Sequence, residues 1–230
     1  LLAPVSLGEA DHHQREAHQE QEGEVAKGEL YVYKALNEFA VFSSSNDLGI
    51  PDIREDLLCD DVPTSVWGAH PDDPVDGAVF IYSKTKQSAF DPAMAEGGFV
   101  AFYEDDYKFE EVWTNAVVVL EKMLDFKWRG VVVPDFSMFT RAPAAVNVWQ
   151  TYRSRWVARY WQEAGFRIIP SLGYGLHHIT NLGYPKGAPV VSVQCRNTAV
   201  VGRSQFVDAL RKSIVDLEPK HVVIYGGSEH

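Results

Sequence analysis

The chain has 230 residues, 46% hydrophobic and 12% aromatic, which is enough for one domain with a substantial core. Its formal net charge of −11 argues against non-specific nucleic-acid binding, because such binding depends on basic surface. The two cysteines, Cys59 and Cys195, cannot form a disulfide framework, so a reducing cytoplasm is the expected location. No apolar run approaches the length of a membrane span, so no membrane segment is expected.

The N-terminal residues predict a region without a core of its own. Residues 1–28 are rich in Glu, Gln and His and show no apolar rhythm, which predicts a flexible polar tail or a solvated helix. They lack the basic start and apolar core of a signal peptide, so none is expected. His12, His13 and His18 could form a metal-binding patch, but a plain polar tail is favoured because nothing nearby would hold the geometry.

Residues 29–230 are predicted to form a single α/β domain that carries one acidic, irregular insertion. The first strands are predicted from residue 29 to about 43, and the insertion spans about 44–76. Acidic pairs such as Asp60-Asp61 could hold a hard cation. Their spacing matches no calcium loop, however, so a solvated loop is favoured.

From Gly77 onward, apolar strands alternate with helices. Strands are predicted in GAVFIYSK, GFVAFYEDD, GVVVPDF, GFRIIP, APVVSVQC and HVVIYG. Apolar residues at helical spacing predict helices over 107–125, 144–164 and 204–217. This order predicts a mostly parallel sheet with helices on both faces. A distorted or incomplete TIM-like barrel is favoured over an open doubly wound sheet, because seven or eight strands are expected in total.

In either architecture, ligands bind beyond the C-terminal ends of the parallel strands. Asp135 follows Pro134, which ends its strand because proline cannot donate to the ladder. Its carboxylate is a turn cap, a general base or a metal ligand. Glu104 follows the preceding strand and would be a second catalytic carboxylate. His177 and His178 follow the next one and complete the catalytic candidates, although at most one of two adjacent side chains would face a pocket.

The same edge of the sheet collects candidate ligand-binding residues. Arg153 on the long helix is a candidate anion clamp, whereas Arg155 and Arg159 are expected on a solvated edge of that helix. A divalent metal held by one histidine, Asp135 and Glu104 is an open alternative, although no HxH, HxxxH or HExxH spacing supports it. The chain has no GxGxxG, P-loop or GxSxG motif. The other candidate ligand-binding residues are Ser137, Tyr174, Gln194, Tyr225 and Gly226.

Four short motifs, in order, resemble a family of bacterial and phage proteins that is known only as a domain of unknown function. They are VVPDFS, the pair Tyr152-Arg153, an apolar strand ending in IIP, and VVIYG, and together they cover roughly residues 99–227. The resemblance implies no activity, but it implies a phage, plasmid or bacterial origin. The positions that it implies are important are Asp135, Ser137, Arg153, Pro170, Tyr225 and Gly226, with Tyr174 as the aromatic residue after the IIP strand.

Three functions are compatible with these features. The first is a hydrolase-like enzyme that acts on a small phosphorylated or carbohydrate-like ligand at the C-terminal ends of the strands. The second is a non-catalytic protein of a phage or mobile element that binds a protein partner through its acidic face. The third is a role in nucleic-acid processing or replication, in which exposed aromatics such as Trp67 and Tyr184 would stack on a single strand.

Overall fold

The computed structural model describes residues 42–66, 76–88, 90–139, 141–173, 177–195 and 203–226. All of them belong to one compact unit, Phe42–His230. The predicted tail at 1–28, the predicted strands at 29–41, Trp67 and Tyr174 lie outside these described residues, as does the side chain of His177.

A parallel sheet forms the centre of the described structure, as the sequence predicted. Its strands are short, between two and five residues long. Five strands pair in the order β1-β2-β3-β4-β5 and two more pair as β6-β7, and every pairing is parallel. The strands are β1 Ser65–Val66, β2 Ala78–Ile81, β3 Phe99–Ala101, β4 Gly130–Val132, β5 Ile168–Ile169, β6 Val190–Gln194 and β7 His221–Tyr225.

The two groups of strands are joined where β5 ends. The Ser192 amide donates to the Pro170 carbonyl at 2.8 Å, and the Leu172 amide donates to the Ser192 carbonyl at 2.7 Å. An isolated parallel bridge also pairs Ser171 with Ser192. Among the described residues β1 does not pair with β7, so no closed barrel is present.

Helices connect the strands. They are α1 Tyr82–Thr85, α2 Glu111–Thr114, α3 Ala116–Leu124, α4 Ala144–Glu163, α5 His177–Thr180 and α6 Arg203–Leu217, with single 3-10 turns at Glu55–Leu57, Pro92–Ala95 and Asp106–Lys108. The long helix α4 confirms the prediction, and Gly165 (φ 90°) follows its end. Of these helices, none has both the length and the apolar character needed to cross a membrane.

The helix predicted over 107–125 is interrupted, which corrects that part of the prediction. Asn115 has φ −132° and ψ 43°, so helical geometry stops there and α3 begins afresh. After the break, α3 buries Ala116, Val119 and Met123, while Leu124 at its end is 56% exposed.

Successive side chains of each strand point to opposite faces of the sheet, so the core has two layers. The outward layer packs against α4, and the inward layer lies on the opposite face. Outward residues such as Val100 and Val131 pack with Trp161 of α4. Inward residues form a second cluster, and its tightness explains Gly130, where a Cβ atom would lie 2.8 Å from Cys59 Sγ. The inner cluster contains Cys59, Val79, Ile81, Phe99, Ala101, Tyr103, Val132, Ile169 and Val190, with Val223 and Tyr225 packed against it.

The described part of the predicted acidic insertion, residues 44–66, is anchored to the core. Ile50, Ile53 and Cys59 are all less than 5% exposed. Several of its acidic side chains form ion pairs in solvent, and Asp56, for example, lies 2.6 Å from Arg54. Asp60 contacts Arg167.

Candidate functional site

Asp135 lies just beyond β4, at the C-terminal edge of the sheet. The strand exit is fixed to α4, because the Ser154 hydroxyl donates to the Pro134 carbonyl at 2.7 Å. Asp135 is half-buried, and its carboxylate accepts no hydrogen bond from the described residues. Burial raises the pKa of Asp135 to about 7, with the nearby Asp106 charge adding to the effect and Arg155 opposing it. A carboxyl group in this state can take up or release a proton near neutral pH.

Asp106, at the start of the turn after β3, holds the loop that carries Asp135. Its carboxylate accepts hydrogen bonds from the Ser137 amide at 3.0 Å and from the Ser137 hydroxyl at 2.8 Å. Ser137, predicted to bind ligand, therefore has its amide and hydroxyl engaged inside the protein. The bond also joins the segments that follow β3 and β4, which come together because parallel strands end at the same edge.

Arg153 completes a closed set of contacts that we call the Asp106–Arg153 ring, formed by Asp106, Ser137, Gln150 and Arg153. Arg153 Nη2 lies 3.6 Å from the Asp106 carboxylate, and its Nε donates to Gln150 at 2.6 Å. The Gln150 amide donates to the Ser137 carbonyl at 3.0 Å. Arg153 also donates to Glu110 at 2.5 Å and is only 7% exposed. The guanidinium predicted as an anion clamp thus already has two hydrogen-bond acceptors and an ion pair with Asp106.

Arg155 and Tyr184 correct two sequence expectations. Arg155 was expected on a solvated edge but is 3% exposed, and Tyr184 was expected to be an exposed aromatic but is 8% exposed. The guanidinium carbon lies 3.4 Å from the centre of the Tyr184 ring, and Nε donates to the Leu182 carbonyl at 2.9 Å. Nη2 bonds the Thr180 carbonyl. Burial without a direct carboxylate partner lowers the pKa of Arg155.

Two phenol groups lie near Asp135: Tyr103 on the inner face of the sheet and Tyr184 in the outer core cluster. The Tyr103 hydroxyl donates to Ser192 Oγ at 2.6 Å, and the Tyr184 hydroxyl donates to the Ser171 carbonyl at 2.9 Å. Burial raises the pKa of Tyr103, and the Asp135 charge adds to this. Burial also raises the pKa of Tyr184 to about 12. Both phenols therefore stay protonated at neutral pH and act as hydrogen-bond donors.

The remaining predicted site residues lie at the same edge but in different settings. Glu104 accepts a hydrogen bond from Lys108 at 2.7 Å. His177 begins α5, and His178 on the same helix is exposed. Gln194 ends β6, opposite Tyr225. Gly226 follows β7 with φ 79°, a left-handed conformation suited to glycine.

The predicted site residues did not include Asp106, Tyr103 or Ser192, which lie near Asp135 or contact its neighbours. The carboxylate whose charge acts on it is Asp106, two positions after the predicted Glu104. Tyr103 could have been found, because it lies two residues beyond Ala101 on the inward face of β3. Ser192 carries no such signal, since a serine within a strand is common. Within the described ranges, no three side chains of His, Cys, Asp or Glu are grouped to hold a metal ion.

These features define an α/β protein whose polar groups gather at the C-terminal edge of a parallel sheet. Residues 63–230 match the model of a domain of unknown function (DUF4417), so the chain belongs to that family. This confirms the predicted membership of an uncharacterised phage and bacterial family, and the match begins well before residue 99, where the motif resemblance started.

Two phage proteins are similar to most of the chain. The Gene 1 protein of Mycobacterium phage L5 is 28% identical over 202 residues, covering 86% of this chain and 80% of that protein. The Gene 1 protein of Mycobacterium phage D29 is 27% identical over 198 residues, covering 84% of this chain and 66% of that protein. No solved structure gives a significant match.

Proposed function

We propose that the C-terminal edge of the sheet is an acid–base site of a hydrolase-like enzyme acting on a small phosphorylated or carbohydrate-like ligand. One observation carries this proposal. Asp135 stands at the tip of β4 with a pKa raised to about 7, while its carboxylate accepts no hydrogen bond from the described residues. A purely structural carboxylate is normally satisfied by donors, whereas a catalytic one is held open for substrate.

Asp135 is the group that transfers the proton in this proposal. As a carboxylate it accepts a proton from water or from a ligand hydroxyl, and as a carboxylic acid it returns one to a leaving group. Tyr103 and Tyr184 stay protonated and donate hydrogen bonds within the protein, to Ser192 Oγ and to the Ser171 carbonyl, so they add no negative charge beside Asp135. The Asp106–Arg153 ring sets the position of Asp135, and the nearby negative charge keeps its pKa high. Glu104 and one of the two histidines remain candidates for a second proton-transfer group.

The proposed architecture around this site is a distorted, incomplete TIM-like barrel. The Tyr103 ring beyond β3 stacks on Tyr225 of β7, with ring centroids 5.0 Å apart, although β4, β5 and β6 lie between them in the order of pairing. Such a contact supports a strongly curved sheet. An inner layer filled by alternate residues of successive strands is also typical of barrels.

The proposal is tested with a hydrolysis screen over chromogenic 4-nitrophenyl glycosides, phosphates and carboxylic esters. The variant Asp135→Asn keeps the size of the side chain but cannot exchange a proton, so turnover should fall at least about 100-fold. Turnover of wild-type protein should also change with pH around 7. The matched control is Asp125→Asn, because Asp125 is an exposed carboxylate in the segment between α3 and β4. Undiminished turnover in a folded Asp135→Asn protein would contradict the proposal.

A further inference from the structure

We propose that the site takes an uncharged, polyhydroxylated ring, such as a neutral sugar, and discriminates against its phosphorylated form. The inference rests on the proposed function, because it concerns the same group of residues around Asp135. It narrows the ligand class by two properties of the site, its hydroxyl lining and its charge.

An unused hydroxyl group on the inner face points to a polar ligand. Ser171 is 5% exposed, and its Oγ atom is buried with no hydrogen-bond partner among the described residues. It lies near the Tyr103 hydroxyl. Ser192, paired with Ser171 across the strands, accepts a hydrogen bond from the Tyr103 hydroxyl through its Oγ atom and retains its own hydroxyl proton. A buried hydroxyl without a partner is costly, and a bound ligand hydroxyl would remove that cost.

The charges at this edge disfavour a phosphate. Three cations of the segments around Asp135 are already engaged: Lys108 by Glu104 at 2.7 Å, Arg153 by Glu110 at 2.5 Å, and Arg155 by backbone carbonyls. Arg141, further along the loop after β4, is exposed to solvent. A phosphate placed against Asp135 would therefore face carboxylates, and none of the three engaged cations is free to bind it. The carboxylates of these segments are Glu104, Asp105, Asp106, Glu110 and Asp135.

Two exposed aromatic side chains complete the argument for a ring. Tyr107 is 77% exposed and follows Asp106 directly, while Phe139 is 59% exposed and lies two residues after Ser137. The Asp106–Ser137 hydrogen bonds hold these two segments together. Aromatic faces in such a position can cover the apolar face of a sugar, while its hydroxyl groups reach Asp135 and the inner hydroxyls.

The test compares matched ligands by isothermal titration and by thermal shift at pH 7. The probes are glucose, ribose and N-acetylglucosamine, each paired with its phosphorylated counterpart (glucose 6-phosphate, ribose 5-phosphate and N-acetylglucosamine 6-phosphate). At least one neutral sugar should bind at least about tenfold more tightly than its phosphate. Ser171→Ala should weaken that binding about 3- to 10-fold, which corresponds to one neutral hydrogen bond.

Ser213→Ala is the matched control, because Ser213 Oγ is also buried without a hydrogen-bond partner but lies on α6. It should leave sugar binding unchanged. Tighter binding of a phosphorylated sugar, absence of binding by all three neutral sugars, or equal effects of the two serine variants would each overturn the inference. If only the proposed function is wrong, neutral sugars would still bind and Ser171→Ala would still weaken their binding, but no hydrolysis dependent on Asp135 would be found.

Discussion

The two ends of the parallel sheet use the same charged residue types in opposite ways. At the N-terminal edge, Arg167 and Asp60 form an ion pair in solvent, with side chains 53% and 67% exposed. At the C-terminal edge, the Arg153 side chain is only 8% exposed and is held by several acceptors. Water screens the first pair, so its loss costs little, whereas the second arginine depends on every contact that replaces its hydration. Function is therefore expected where charge is buried.

The strongest test of this contrast is Arg153→Ala. Removing the guanidinium leaves the partly buried carboxylates of Asp106 and Glu110 without their cation and opens the Asp106–Arg153 ring. We expect a loss of about 2–4 kcal/mol in the free energy of unfolding, at the low side for a broken buried pair because the Glu110 side chain is 39% exposed. Urea denaturation at pH 7 measures it. A loss as small as that of an exposed pair would remove the contrast between the two edges.

Asp135→Asn should give the next largest effect, and it should be stabilising. The folded-state pKa of about 7 lies above the ordinary value, so the stability linked to the protonated carboxyl is present below about pH 4 and is lost as pH rises through about 7. Asparagine does not titrate and avoids that loss. We expect a gain of about 1–3 kcal/mol at pH 8 and much less at pH 5.

Denaturation curves at both pH values give this difference, and Asp125→Asn should show no comparable dependence on pH. An equal change in stability at pH 5 and pH 8 would mean that the Asp135 carboxyl is not perturbed in the folded protein.

Tyr103→Phe probes the inner layer with a smaller change. It removes the hydroxyl group that donates to Ser192 Oγ at 2.6 Å, so the buried Ser192 hydroxyl loses its hydrogen-bond donor. The expected loss in the free energy of unfolding is about 1–2 kcal/mol. Tyr107→Phe removes a hydroxyl from a side chain that is 77% exposed and should cost almost nothing. Similar losses in both variants would argue against a buried polar layer.

Arg167→Ala should give the smallest effect. Both partners of its ion pair with Asp60 lie largely in solvent, so the loss is expected to be below about 1 kcal/mol and to shrink further when salt is raised. Chemical denaturation in low and in high salt measures both features. A loss matching that of Arg153→Ala would show that exposure does not separate the two edges.

The sequence predicted the parts of the fold that depend on local patterns. The run GVVV and the helical spacing in 144–164 lie in a buried strand and a long helix, because burial on both faces and on one stripe leaves a visible pattern. The break at Asn115 left no such signal, because a single polar residue within a helical pattern is ordinary.

The site was predicted less completely for a related reason. Asp135 could be found because its position after Pro134 is a local feature. The contacts of Asp106 with Ser137 and of Tyr103 with Ser192 join residues 31 and 89 positions apart. The burial of Arg155 depends on carbonyl groups of Thr180 and Leu182, which a charge pattern along one helix cannot reveal.

The stack of Tyr103 on Tyr225 has a consequence for the order in which the protein is made. Because Tyr225 lies on β7, the Tyr103 ring is covered only after more than a hundred further residues have been synthesised. During synthesis the earlier strands emerge first, and their inner face stays exposed until β6 and β7 follow. A nascent chain that stops before His221 would thus have an exposed Tyr103 ring and an incomplete site. We expect such a chain to bind chaperones and to lack activity.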